Sequence, residues 1–384
     1  MAIINQIAPL LNSTARQIWG EDTPTVQDLS GLIALGNKVL SSDTDKETFL
    51  GVLSDRIKKT VIRTLNLDVE MPNLLMTEDA FFGVLQKIDV QPMAVVEDNS
   101  WNIGENDYAT TIWNINKPIV SQSLFHNISA FTIPVTVPDV MLKSAFASDR
   151  EMGAFISAIF GTIEQSLIMY LNALTHLAVC NLIAERAKEG KTINLLEMYN
   201  ETFRQELTPI TALYNSEFLQ YSAMIIRNYI KYMNTPSVLY NNGTKIRATA
   251  RDNMHVLMLT DYVSAYTTYF ESSAFHNELV EMPYFTEVSY WQNNGQLPTF
   301  VNNSKVNIIP SSEEGEDTPT AQVVNGVICT LADRQTVGVS LTEDWSGADR
   351  NNRERYTNYT YGANRGYFND LSENAVVFVV AEYE

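Results

Sequence analysis

"SDREMGAFISAIFGTIEQSLIMYLNALTHLAVCNLIAERAKEG", residues 148–190, decides the fold. Ser148 followed three places later by Glu151 is a capping-box pattern that predicts a helix start, because the two side chains satisfy backbone N–H groups the first turn leaves unpaired. Asp149 and Glu151 sit at the positive end of the macrodipole, Arg186 and Lys188 at the negative end, and Gly190 supplies a residue able to turn left-handed past the last turn. No Pro interrupts the span, so it is expected to be one rod of roughly 60 Å at about 1.5 Å per residue. Met152, Phe155, Ile156, Ile159, Phe160, Ile163, Leu167, Leu171, Leu174, Leu177 and Leu182 recur largely three or four apart. That spacing predicts a single apolar stripe, laid across something rather than surrounded by it. Residues 165–184 contain no charge, as a membrane span would, yet Gln165, Ser166, Asn172, Thr175, His176 and Asn181 recur down that length. Such groups are costly in hydrocarbon, so no membrane is expected. The spacing is not a sustained heptad with charged flanks either.

A chain of 384 residues, 45% hydrophobic and 10% aromatic, has the material for two or three cored domains. Its formal net charge is −19 and no dense basic run occurs, which excludes a sequence-specific reader of DNA phosphates. The densest cationic stretch, "RIKKTVIR" (56–63), carries an apolar face and reads as a solvated helix. Two cysteines, Cys180 and Cys329, are too few for a disulfide scaffold, and the N-terminus shows no basic leader or apolar core of a secretion signal. A reducing cytoplasm is the expected place of folding.

Around the rod, the first 95 or so residues read as mainly helical, with a second capping box at Thr44…Glu47 opening "TDKETFLGVLSDRIKKTVIRTL" (44–65) and a shorter helix in "TVQDLSGLIALGNKVL". "DYATTIWNINKPIVSQSLFHNISAFTIPVTVPDVML" (107–142) reads as a two-stranded excursion, with Pro118, Pro134 and Pro138 favouring an exposed edge. Such a ribbon is not stable alone in water and needs a neighbour. "TINLLEMYN" and "RDNMHVLML" read as strands, and 216–233 and 260–276 as helices. "PSSEEGEDTPTAQ" (310–322) reads as an acidic loop, and the chain closes in alternating strands and turns. The fold class is α+β.

No motif carries catalysis. "GKT" at 190–192 has Glu185 where a phosphate loop needs Gly, and it closes a helix instead of opening one. His176 and Cys180 stand one helical turn apart but lack the further ligands a zinc site wants. "MPYFTEVSYWQ" (282–292) reads as one packed sheet face rather than a ligand cleft. The Arg–Tyr mixture of 349–370 reads as strand pairs with intersubunit ion pairs rather than a single-strand binder. No enzyme, cofactor or metal is expected.

The order of these parts (helical arm, extended excursion, capped rod, α+β lobe, strand–turn–strand return) resembles the major capsid protein of tailed double-stranded-DNA bacteriophages, a fold shared with encapsulins. The stretch 255–292 looks like the axial strand-and-helix segment of that family. Residues 327–380, with the Ala-Asp-Arg turn at 332–334, look like its closing segment. The likeness runs from about residue 100 onward and leaves the N-terminal arm apart. It implies a helical N-terminal arm at 1–95, an extended β-hairpin loop at 96–147 and a spine helix at 148–190. A mainly axial domain at 191–329, peripheral strands at 330–370 and a closing axial strand at 371–384 would follow. It further implies pentamers and hexamers of identical copies forming an icosahedral head assembled in a host cytoplasm. Portal and scaffold or decoration proteins would be partners, and DNA would be enclosed without sequence-specific binding. An encapsulin-like compartment, or an α+β enzyme of unrelated fold, are the alternatives. Candidate inter-subunit contacts on this reading are Trp101, Trp113, Lys117, Phe125, Asp333, Arg334, Arg353 and Arg355. Deleting residues 108–136 is expected to leave a folded core that cannot form shells.

Overall fold

The computed structural model describes residues 2–20, 25–27, 29–42, 44–45, 48–49, 52, 69–76, 85–93, 115, 117–125, 128–145, 149–271, 285–292, 295–313 and 319–382. Its first part holds α1 (Ala2–Trp19), α2 (Leu29–Val39), β1 (Leu75–Met76), β2 (Leu85–Val90), β3 (Val120–Phe125), β4 (Ile128–Pro138) and α3 (Asp139–Ala145). The long helix α4 (Asp149–Lys188) follows, then β5 (Thr192–Asn194), α5 (Leu195–Phe203), α6 (Pro209–Ala212) and α7 (Ser216–Met233). Next come β6 (Met254–Leu259), α8 (Thr260–Glu271), β7 (Thr286–Val288), α9 (Phe300–Asn303), β8 (Val306–Ile308) and β9 (Gln322–Val324). The chain closes with β10 (Val327–Asp333), β11 (Val337–Asn351), β12 (Tyr356–Asn369) and β13 (Ala375–Val379).

The expected rod is one helix of 40 residues. It stops where the sequence says: Gly190 takes φ +68°, its N–H donates to the Ala187 carbonyl at 3.0 Å, and the Lys191 N–H donates to the Arg186 carbonyl at 2.8 Å. These two bonds close the last turn and satisfy carbonyls it would otherwise orphan. Ser148, the proposed cap, lies outside the described residues. The single-stripe expectation holds only midway, where Ile163, Leu171 and Leu174 are buried while Met169 and Leu177 are exposed. Further on it fails, because Leu182 through Arg186 are all buried. Here the helix is covered on several sides. Ala178, Val179, Leu182 and Ile183 share a cluster with Leu257, Val327 and Val377 of one sheet, Val306 and Val324 of β8 and β9, and Met71 and Leu74. Residues 165–188 are thus apolar enough to cross a membrane by composition, yet mostly buried against protein.

Two sheets flank the rod. One has strand order β1-β11-β12-β4, the other β5-β13-β10-β6-β7, and two separate pairs, β2-β3 and β8-β9, complete the described strands. The β11–β12 ladder runs from Val337↔Asn369 to Asn351↔Tyr356. At about 3.4 Å per residue it is about 45 Å long, comparable with the rod. In β12–β4, Phe131 packs on Tyr170 of α4 at a centroid distance of 3.9 Å.

Several expectations change. β3 and β4, read as the two strands of one excursion, do not pair: β3 pairs antiparallel with β2, and β4 pairs with β12 along its whole length. The ribbon therefore has its stem at 85–90 and 120–125, not within 96–147, and a deletion of 108–136 would strip an edge strand from the four-stranded sheet. "TINLLEMYN" is a strand only to Asn194, whose side chain then accepts the Glu197 N–H at 3.4 Å and caps a helix. The boundary drawn at 329/330 cuts β10, which runs on to Asp333. The N-terminal arm is no appendage: Leu11, Ala15, Leu32, Leu35 and Val39 share a buried cluster with Val137 of β4, Ile163 of α4 and Tyr359 and Tyr361 of β12. Most of the helix read at 44–65, and the end of that read at 260–276, lie outside the described residues.

Candidate assembly surface

The ribbon is the functional candidate, and its two faces are inverted. A strand alternates sides, so Lys87 and Asp89 share one face of β2 and Ile88 and Val90 the other. A sheet on a protein body normally turns its apolar face inward. Here Ile88 and Val90 are each 62% exposed, Val120 56% and Leu124 55%, while Lys87 and Asp89 face the body. Met93, Ile115 and Ile119 extend the exposed apolar surface toward the tip.

What holds the inner face is a cluster of three cations and three carboxylates. Lys87 pairs with Asp370 at 2.7 Å and with Glu373; Lys245 pairs with Asp89 at 2.6 Å. Arg247 pairs with Asp89 at 2.7 Å and Glu373 at 3.1 Å. The Ile246 N–H donates to the Gln91 side chain at 3.2 Å, and Phe125 at the base packs on Phe368 at 5.4 Å. Behind the cluster, fully buried Arg186 donates to the carbonyls of Leu371 and Glu373 at 3.1 and 2.7 Å and to Glu189 at 2.6 Å, fixing the 370–373 turn.

Burial pushes the Asp89 carboxyl up, but hydrogen bonds from Lys245 and Arg247 outweigh it and hold the group below its ordinary value. Burial acts likewise on Asp370, where Lys87 and Ser372 win, whereas for Glu373 burial prevails over Lys87 and the carboxyl is raised. The signs differ. Asp89 and Asp370 contribute stability above the ordinary carboxylate range that is lost as pH falls through their lowered values; Glu373 takes up its proton first, which relieves its burial cost. On acid titration the ribbon root is expected to survive protonation of Glu373 and to fail only below the ordinary aspartate range, seen as loss of amide protection in 85–90. Asp89→Ala would leave Lys245 and Arg247 facing a void, costing about 3 kcal/mol, measurable by denaturant unfolding.

Of the sequence candidates, Lys117 is exposed on the ascending limb of the ribbon. Phe125 is turned inward on Phe368. Asp333 is buried, accepting from the Thr249 hydroxyl at 2.7 Å and the Gln335 N–H at 2.9 Å, while Arg334 beside it is exposed. Arg353 and Arg355 are exposed at the tip of the β11–β12 hairpin, where Arg355 takes φ +58° and its carbonyl accepts the Asp139 N–H at 3.0 Å. Trp101 and Trp113 lie outside the described residues. The intersubunit ion pairs read in 349–370 are intrachain for two arginines: Arg350 holds both oxygens of Asp139 at 3.0 Å, and Arg365 pairs with Asp344 at 2.7 Å. Sequence reading missed the ion cluster, although "KIDV" at 87–90 carries its signature, charged and apolar residues in strict alternation.

His176 and Cys180 both turn to one acceptor, the Trp291 carbonyl, at 3.1 and 3.0 Å. Burial pushes the Cys180 thiol up to about 12, so it stays neutral. Trp291 is itself buried, its indole N–H donating to the Val327 carbonyl at 2.7 Å, which makes it core and not the lining of a cleft.

A long helix braced between a long-stranded sheet and a five-stranded sheet, with a separate ribbon at its flank, is the fold of phage major capsid proteins. Staphylococcus phage Andhra supplies a solved capsid structure that superposes with a TM-score of 0.55 at 8% identity, covering 82% of this chain and 85% of that one. A chain from the structure of the head fiber and inner core protein gp22 of native bacteriophage P68 matches at a TM-score of 0.49 and 8% identity, over 80% and 83% of the two chains. No curated protein matches the sequence. The family described as Phi29-like phage major capsid protein matches residues 13–379, and the chain belongs to it. That match takes in the N-terminal arm from residue 13, which the resemblance had left out. The protein is a structural component of a phage capsid.

Proposed function

We propose that copies of this chain close into pentameric and hexameric rings of an icosahedral head that encloses double-stranded DNA, with each ribbon lying over the adjacent copy. The observation that carries the reading is the inverted ribbon. Ile88, Val90, Val120 and Leu124 present an apolar strip to solvent, and an apolar strip rimmed by polar residues marks a contact surface. Rings arise when one patch meets a different patch on the next copy, so the strip and its receptor need not resemble each other. Lys117, Arg334, Arg353 and Arg355, exposed cations on an acidic chain, are the proposed polar contacts at the rims; Asp333 and Phe125, engaged internally, are withdrawn from that role. The peripheral part corresponds to the four-stranded sheet and the axial part to the five-stranded sheet, with the rod as their spine. Net charge of −19 supports a lumen to which DNA does not adhere. Portal and scaffold or decoration proteins complete the particle, which is assembled in the host cytoplasm.

The test is a deletion of residues 94–116, joined by a short turn, co-expressed with the partners needed for assembly. Because β2 and β3 are retained, the chain is expected to remain soluble and folded while closed shells disappear from electron micrographs. Shells at undiminished yield would refute the role given to the ribbon.

A further inference from the structure

Outside the assembly surface, one buried constellation has an unexplained hydrogen count. His176 is 8% exposed. Its Nδ1 lies 3.1 Å from the Trp291 carbonyl and its Nε2 lies 2.8 Å from a Glu70 oxygen. A carbonyl and a carboxylate only accept, so both ring nitrogens must carry hydrogen. No other titratable group in contact with the ring supplies the charge: Tyr290 stacks on it at 5.0 Å and neutral Cys180 donates to the same carbonyl. Glu70 is further held by the backbone N–H of Ser289, and its own N–H donates to Asn172 of α4 at 3.1 Å.

We propose that His176 is an imidazolium pin, joining the segment that leads into β1 and the loop that follows β7 to the long helix, and that the pin is released by deprotonation. The two segments belong to different sheets, β1 to the four-stranded and β7 to the five-stranded one. Losing one proton therefore turns an attraction into a lone pair facing a carboxylate at the junction between the sheets. The acid side is protected: burial raises the Glu70 carboxyl, but hydrogen bonds from His176 and Ser289 outweigh it and hold it below its ordinary value. Glu70 is thus still ionised where His176 is fully protonated, and the pin weakens as pH rises. The proposal is independent of the capsid reading.

Hydrogen exchange of the full chain, corrected for the intrinsic pH dependence of exchange, tests it. Peptides spanning 69–76 and 286–292 are expected to open on the order of tenfold more readily at about pH 9 than at about pH 6, and His176→Gln and Glu70→Gln to abolish that difference. Equal protection at both pH values in the wild type would overturn the proposal. Should the variants fail to fold, nitrogen-15 NMR of the wild-type chain labelled at its four histidines decides the matter. One ring with both nitrogens protonated at neutral pH supports the pin; four neutral rings refute it.

Discussion

Leu171→Pro is expected to abolish folding of the chain rather than kink one helix. Proline in a helix interior removes the bond to the carbonyl four residues back and clashes with it, at about 3 kcal/mol or more. Leu171 is also fully buried, clustered with Val69, Leu174 and Val339, the last on β11. Losing a buried leucine side chain typically costs about 2–5 kcal/mol more. The sum is comparable with the roughly 5–15 kcal/mol that separates a folded domain from its unfolded chain. The helix touches every layer: α1 and β4 near its start, β11 in the middle, β8, β9 and β13 near its end. A break is therefore not confined. Circular dichroism and solubility after expression read the outcome, and a soluble Leu171→Pro chain with wild-type helicity would show that the rod does not organise the fold.

The second large effect separates folding from assembly. Ile88→Lys together with Leu124→Lys is expected to leave the single chain intact and to abolish shells. Both side chains are more than half exposed on the outward face, and surface changes of that kind usually alter stability by about 0.5 kcal/mol or less. In a closed shell the same positions would bury two unpaired ammonium groups at each contact, and desolvating a charge without a partner costs several kcal/mol. Because every copy repeats the contact, the penalty multiplies. Unfolding midpoints close to wild type, with sedimentation shifted wholly to small species, are the expected pair of results. A large drop in the midpoint would mean that the strip packs against its own chain.

Local signals in the sequence read true, and partner choice did not. Gly190 and the cations before it marked the end of the rod because helix termination is settled within a few residues. The helix 216–233 and the closing strands were legible for the same reason. By contrast, β3 and β4 looked like one hairpin because they adjoin in sequence, yet β3 chose β2 and β4 chose β12, a strand more than 200 residues away. Alternation defines a strand but not its neighbour. Asn194 acted as a helix cap inside what read as a continuous apolar strand. The ion cluster draws on residues 87, 89, 245, 247, 370 and 373, so no window of sequence contains it. The burial of Arg186 could not be foreseen either, since its acceptors are backbone carbonyls of a turn 185 residues on.

The most direct measurement of the account is a cryo-electron-microscopy reconstruction of particles formed when the chain is co-expressed with its assembly partners. Closed shells are predicted, with density for the stem strands 85–90 and 120–125 continuing across the neighbouring copy and Ile88, Val90, Val120 and Leu124 covered by it. Discrete single chains under every assembly condition, or shells in which that strip remains bare, would contradict it.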